Sequence, residues 1–507
     1  MNPTLPIVLV CDDRVVPKVR YVFDTLFMAA GIGVRYVDEP PRAGPWLLYA
    51  PQRQWQGKPV VDAVVVAHCP DAWSLFTERR DVSASATVDG LAVVFAQRQA
   101  GFDVEADVGF DIVANVFYFL ASWSERVQAR GSRQVFSDSV SSRLGTPQDI
   151  VDRYLERLVD RLQRLNARLG LPPWPAPTWP TGAAYAVLLS HDVDFLPRGA
   201  ADIAWQGLKT ALRHLVRQRA PLDAWGATVG LARACLTGVD PYGCVPQIIE
   251  HEARLGVRSS FQVAVARRHP HDVNYSIDDD DTRDYLRVIV DSGFELCLHG
   301  SYRSTENAQW YRDEVALLTR RLGRPIGSRQ HFLSFDYDTL FTAQEQSGIA
   351  YDMSVGFPDR IGPRNGFSFP YFPYSLDRDR PYSVLQINLG LMDVTLRSYM
   401  GLAPARARPV VEEALADLHR KRGCISLVWH PIVFGGARDP GYDDLYWHIV
   451  EHVRATGGIA TDGRTINAHW RQRAPSYLSF SRFELSAEDR APAPRPPAAL
   501  DLAMGSH

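Results

Sequence analysis

The chain has 507 residues, a formal net charge of −3, and 46% hydrophobic and 22% charged residues. At roughly 150 residues per domain this suggests two to four domains, and the composition excludes a disordered or collagen-like chain. The near-neutral charge gives no reason to expect a nucleic-acid partner, and six scattered cysteines without CxxC spacing indicate neither a disulfide framework nor a cysteine-type zinc site.

The first predicted element is a buried strand, Leu5 to Cys11. It is too short for an export signal, has no basic residues before it, and is followed by Asp12-Asp13-Arg14. No apolar stretch approaches the ~20 residues that span a bilayer, so no transmembrane segment is expected and the expected location is the cytoplasm. Lys18 to Ala30 has helical spacing and stops at Gly31 and Gly33. Val34 to Val37 and Val60 to Ala67 read as strands, Phe110 to Arg126 as a helix with one buried face, and Gln148 to Gly170 as an amphipathic helix. Residues 1–170 therefore read as a mixed α/β accessory domain. Five prolines in the twelve residues from Leu171 to Gly182 predict a stiff, extended linker, 171–182.

From Ala183 strand-like runs alternate with helical ones: Tyr185–Leu189, Ser259–Val265, Glu295–Leu298, Ser328–Leu333, Ala350–Ser354, Val384–Ile387 and Cys424–Trp429. That alternation predicts an α/β fold, a β/α barrel over 183–487. The stretch Arg198 to Asp240 could shape the rim of its site. Ser276 to Tyr285 reads as a solvated loop and an acidic helix start. The Pro- and Ala-rich tail, 488–507, is expected to be disordered.

Polar residues gather just after these strands, where β/α barrels place their active sites. Ser190-His191-Asp192-Val193-Asp194 follows the first run. Alternation aims Asp192 and Asp194 to one side of an extended chain, which suits a divalent cation, or one metal ligand beside one base. A strand-end turn with a solvated carboxylate pair is the plainer reading of that segment alone. His299 leaves its strand into a Gly-Ser turn, well placed for a metal, although such a histidine is more often structural. Arg329 and His331 follow the next run, then Asp352, then His430 after Trp429. Five clusters in order, each closing a strand, carry more weight than any one.

Together with the segment FDIVANVFYFLASWSER from Phe110 to Arg126, these clusters resemble the polysaccharide deacetylase (NodB-homology) superfamily of carbohydrate esterases. More closely, they resemble a bacterial branch with HDVD in place of TFDDG, preceded by an N-terminal domain of unknown function. The resemblance covers the chain to about Arg473. It implies a distorted, seven-stranded β/α barrel holding one divalent metal ion, usually Zn²⁺. By the same resemblance Asp192 is the general base, Asp194 and His299 are metal ligands, Arg329 orients the base, and His430, preceded by Leu427, is the general acid. The family's HxxxH motif has Arg303 at its second histidine position, so one ligand is missing. His331 stands where the family has a proline and is the candidate replacement. Two protein ligands plus water, or another ligand such as His191, are the alternatives. Tyr302, Asp352, Arg364 (in the Gly-x-Arg-x-Gly loop Gly362 to Gly366) and Trp429 are the substrate-side candidates.

The implied activity is metal-dependent removal of an acetyl group, N-acetyl first, from an amino-sugar substrate. Two further readings stay open. One is a C–N hydrolase acting on a non-sugar amide. The other is a non-catalytic sugar-binding or scaffold protein of a polysaccharide-assembly system.

Overall fold

The computed structural model describes residues 4–128, 143–196, 244–435 and 439–474, together with residues 208, 212, 228 and 229. The tail 488–507 lies outside the described residues, as does 198–240 apart from those four positions.

The first half is built on a parallel sheet. Its strands are β1 (Thr4–Leu9), β2 (Gly33–Tyr36), β3 (Trp46–Ala50) and, after the short hairpin of β4 (Gln54–Trp55) and β5 (Lys58–Pro59), β6 (Ala63–Ala67). They lie in the order β2-β1-β3-β6. A second hairpin pairs β7 (Ala86–Val88) with β8 (Leu91–Val93). The helix Val16–Ala30 ends at Gly31, whose φ of 71° supplies the left-handed cap that stops it. The segment expected as one helix from Phe110 to Arg126 is two, Ile112–Leu120 and Trp123–Gln128. Ser122, at φ 47°, turns the chain between them.

The second half is a ring of parallel strands: β9 (Ala186–Val193), β10 (Ser260–Val263), β11 (Glu295–Gly300), β12 (Gly327–Gln330) and β13 (Tyr351–Asp352). A small hairpin follows, β14 (Tyr374–Ser375) with β15 (Arg380–Pro381). One run of chain then serves as both ends of the sheet. Its first part, β16 (Leu385–Gln386), pairs with β13, and its second part, β17 (Leu389–Met392), pairs with β18 (Cys424–Val428). The Leu389 N–H donates to the Val355 carbonyl on one side while Leu389 is in register with Ser426 on the other. β18 pairs with β9, so the ring closes through seven positions. β19 (Ile459–Thr461) adds an eighth strand beside the first half of β9. The chain has the distorted seven-stranded barrel that the resemblance implies.

Period-two alternation sorts the strand residues. On β11, Leu296 and Leu298 pack outward against the helices, whereas the Cys297 thiol meets the Tyr351 hydroxyl inside. Gly327 on β12 is required here: a Cβ at that position would stand 2.2 Å from the Tyr351 ring. The floor of the barrel is sealed by the start of the helix Gly463–Arg473, whose Gly463 N–H donates to Ser260 Oγ, itself bonded to Glu295.

The two halves share one apolar core, running from Leu5, Phe23 and Phe117 to Phe367, Tyr371 and Trp470. The proline-rich stretch does not stand clear as a spacer. Trp174 and Trp179 are buried, and Trp179 stacks on Trp470 at 5.4 Å. Among the described residues, no helix is long and apolar enough to cross a membrane.

Candidate active site

The carboxyl ends of β9, β12, β17 and β18 converge on a cavity of about 300 Å³. β9 points Asp192 and Asp194 toward it, as the alternation expects. His191, one residue out of phase, points away. Its Nδ1 is 2.7 Å from the Trp429 carbonyl and its Nε2 is 3.0 Å from Glu252 Oε1. Both ring nitrogens are engaged, so His191 does not supply the missing ligand.

Asp192 is buried. Arg329 Nη1 donates to its Oδ1 at 2.6 Å, and Arg329 Nε donates to the Met353 carbonyl at 3.2 Å. A fully buried guanidinium gripped at two points has one orientation, and so does the carboxylate it holds. Asp192 Oδ2 is left facing His299, 4.0 Å away.

Asp194 is the hub. His299 Nε2 lies 3.1 Å from its Oδ1, His331 Nε2 lies 3.6 Å from the same oxygen, and His430 Nε2 lies 3.4 Å from its Oδ2. Burial pushes the Asp194 carboxyl up, but the surrounding imidazoles of His331, His299 and His430 outweigh it and hold it well below the usual range. Burial disfavours a charged His299, yet Asp192 and Asp194 raise its pKa.

Asp194, His299 and His331 offer one donor atom each within 4.8 Å of one another. Asp194 Oδ1 and His299 Nε2, 3.1 Å apart, are buried, and neither makes a hydrogen bond of acceptable geometry, to the other or to any other group. Such orphans cost free energy unless something fills the site. The second nitrogen of His299, Nδ1, is 3.0 Å from the Arg329 carbonyl, which fixes the tautomer that turns Nε2 toward the cluster. Metal–nitrogen bonds near 2.05 Å in a tetrahedron put ligand atoms roughly 3.3 Å apart, which the 3.1 and 3.6 Å spacings bracket. The donors fit a divalent metal ion. His331 joins this group, whereas Arg303 pairs with Glu306.

His430 stands across the cavity. Its Nδ1 is 2.7 Å from Asp393 Oδ1, leaving Nε2 to face the site. Burial opposes a charged imidazole, but Asp393 and Asp194 prevail and push His430 up to about 10. Asp393 is not among the residues that the sequence reading selects. A register shift between Leu389 and Leu391 breaks the strand alternation before it. The available signal is that Asp393 closes an apolar run as the other clusters do. Arg397 backs it, with Nε 3.7 Å from Asp393 and Nη1 3.1 Å from Asp439.

Of the substrate-side candidates, Tyr302 lies beside the mouth, its ring 5.6 Å from that of Phe332, which lines the cavity. The other three are not brought to the cavity. Asp352 is fully buried and held by Gln344 and Ser354. Arg364 is buried against Glu125 of the first half, 3.1 Å away. Trp429 points outward, its indole N–H donating to the Tyr442 carbonyl. Phe332 and Leu333 have φ of 57° and 51°, a left-handed pair that branched and bulky residues rarely adopt, and Phe332 is left 54% exposed.

No family model matches the chain, and no curated protein is similar to it at a significant level. Among solved structures, it is similar to a protein from Mycobacterium smegmatis that carries the name polysaccharide deacetylase. That match has 19% identity and a TM-score of 0.40, and covers 59% of this chain and 93% of the other. It is also similar to a peptidoglycan N-acetylglucosamine deacetylase, with 12% identity and a TM-score of 0.27, covering 57% and 90%. The likeness to a pectin-targeting GH138 enzyme has 11% identity and a TM-score of 0.24, covering 90% and 64%.

Proposed function

We propose that the protein is a metal-dependent deacetylase that hydrolyses an acetamido group on an amino-sugar substrate. The observation that carries this is the convergence of Asp194, His299 and His331 beside a separately held carboxylate, Asp192, with an Asp393-backed imidazole opposite. A divalent ion, Zn²⁺ by the donor set, would be held by Asp194, His299 and His331 and would supply Lewis acidity there, lowering the pKa of water. Asp192 takes the proton of the attacking water at Oδ2, since Arg329 occupies Oδ1. His430 donates a proton from Nε2 to the departing amine, and Asp393 fixes the ring for that transfer. Leu333, Met392 and Val394 form an apolar wall suited to the acyl methyl. Tyr302 and Phe332 offer ring faces to the sugar. The residues assigned to a working hydrolase are all present together, which argues against a binding-only scaffold. The five described cysteines are free thiols, which supports a reducing compartment such as the cytoplasm.

The cavity wall favours one second reading. Phe195, Pro358 and Ile432 extend its apolar lining, and the guanidinium of Arg397 is spent on Asp393 and Asp439. That lining also suits a C–N hydrolase of an apolar, non-sugar amide.

The test is elemental analysis with acetate release from N-acetylhexosamines. Wild type is expected to hold an ion and release acetate. Asp194→Ala and His299→Ala each lose the ion of this site, read as one equivalent fewer than wild type. Asp192→Asn keeps the ion and loses turnover; full activity in that variant overturns the assignment. An ion held with no acetate released moves the assignment to the non-sugar amide.

A further inference from the structure

We infer that the chain carries a second transition-metal site on the outside of the barrel, formed by Glu412, His448 and His452. His448 and His452 stand four residues apart on the helix Tyr442–Ala455, so their rings share one face, a turn apart. The ring centroids are 5.7 Å apart. Glu412 comes from the neighbouring helix Pro404–Lys421, and its Oε1 lies 2.7 Å from His448 Nε2. One ligand atom from each residue lies within 4.8 Å of the other two.

A surface ion pair needs only His448 and Glu412. His452, one turn on and facing the same point, turns the pair into a three-donor cup. All three residues are partly buried, so the donors are held by the helices yet reachable from solvent. Two imidazoles and one carboxylate suit Zn²⁺, Co²⁺, Ni²⁺ or Cu²⁺, and not the all-oxygen preference of Ca²⁺ or Mg²⁺. Arg408 Nε, 3.9 Å from Glu412 Oε1, is the cation that an incoming ion displaces, and its side chain is half exposed.

The placement gives such an ion a definite effect. The helix Pro404–Lys421 follows the segment that carries Asp393 and Arg397, and the helix Tyr442–Ala455 follows the one that carries His430 and Asp439. An ion between the helices clamps these two catalytic segments from behind while leaving the cavity open. It stabilises the fold without entering the chemistry.

The probe is Zn²⁺ alone, dialysed against the full chain, with Co²⁺ absorbance as an independent reading. Wild type is expected to bind about two ions. His448→Ala/His452→Ala binds one and Asp194→Ala binds one, so loss of either site is seen separately. Zinc raises the thermal midpoint of Asp194→Ala, and this rise is absent when His448 and His452 are also replaced. Glu412→Gln, a milder change that leaves both helices packed, weakens the second binding step. Wild type and His448→Ala/His452→Ala binding the same number of ions overturns the inference, whatever Asp194→Ala does.

Discussion

Asp192 and Asp194 are the same residue type two positions apart, and their surroundings give them different work. Arg329 grips Asp192 through one oxygen, whereas imidazoles surround Asp194 on both of its oxygens. The Arg329–Asp192 pair is fully buried, so its loss is expected to be costly in one direction only. Arg329→Met removes the guanidinium and leaves Asp192 buried with only His299, 4.0 Å away, facing it, and should lower the unfolding free energy by about 3–5 kcal/mol. Asp192→Asn added to it should restore part of that loss, read by urea denaturation of the single and double variants. Asp393→Asn tests the general acid. It keeps a side chain of the same shape behind His430 but removes the charge that orients and protonates the ring. The kcat should fall by about 10²–10⁴-fold with little change in KM and no change in metal content.

At the scale of elements, the sealing of the barrel depends on the missing side chain of Gly327. Gly327→Ala would push Tyr351 off its contacts with Cys297 and Ser260, and should cost about 1–3 kcal/mol of stability with the active-site residues untouched. A thermal melt beside a metal assay separates the two effects. Several barrel positions are legible in the sequence because an apolar run ends in a polar cluster, as at β9, β11 and β18, whereas β12 (GSRQ) is itself polar and is legible through Arg329 and His331. Other elements escape for reasons of their own. β3 (WLLYA) is buried along its whole length and shows no alternation, and β19 is only three residues long. β17 is hidden because the chain shifts register at Gly390, where a Cβ would meet Ile425 at 2.8 Å. The same shift conceals Asp393. His331 is legible only as a departure from a motif, and the three donors become one group only when β9, β10, β11 and β12 lie side by side. The prolines of 171–182 suggest a spacer, but the two tryptophans among them find apolar surface on both halves, and burial outweighs the stiffness of the segment.

For the molecule as a whole, several acids are buried outside the cavity lining. Burial is the leading cause that pushes Asp24, Asp152, Glu295 and Glu314 up to about 7, and Asp352 to about 6. Each binds its proton more tightly folded than unfolded. Their contribution to stability is therefore complete below the ordinary carboxylate range and is lost as pH rises through about 6–7. The carboxyls held low, such as Asp81 and Asp149, act only at more acidic pH. The thermal midpoint should thus fall between about pH 5 and pH 8. Asp152→Asn, at the contact with Ser368 and Lys421, should flatten part of that slope.

The plugged floor of the barrel governs traffic. With Gly463, Ser260, Glu295 and Tyr351 closing one end, the cavity opens, among the described residues, at the carboxyl ends of the strands. Under the proposed function, the shortened amine and the released acid would leave past Phe332, which lines that mouth. Only the acylated tip of a substrate would then have to enter, so a long chain could lie across the threshold as readily as a single sugar, and accumulated product would compete for that same threshold.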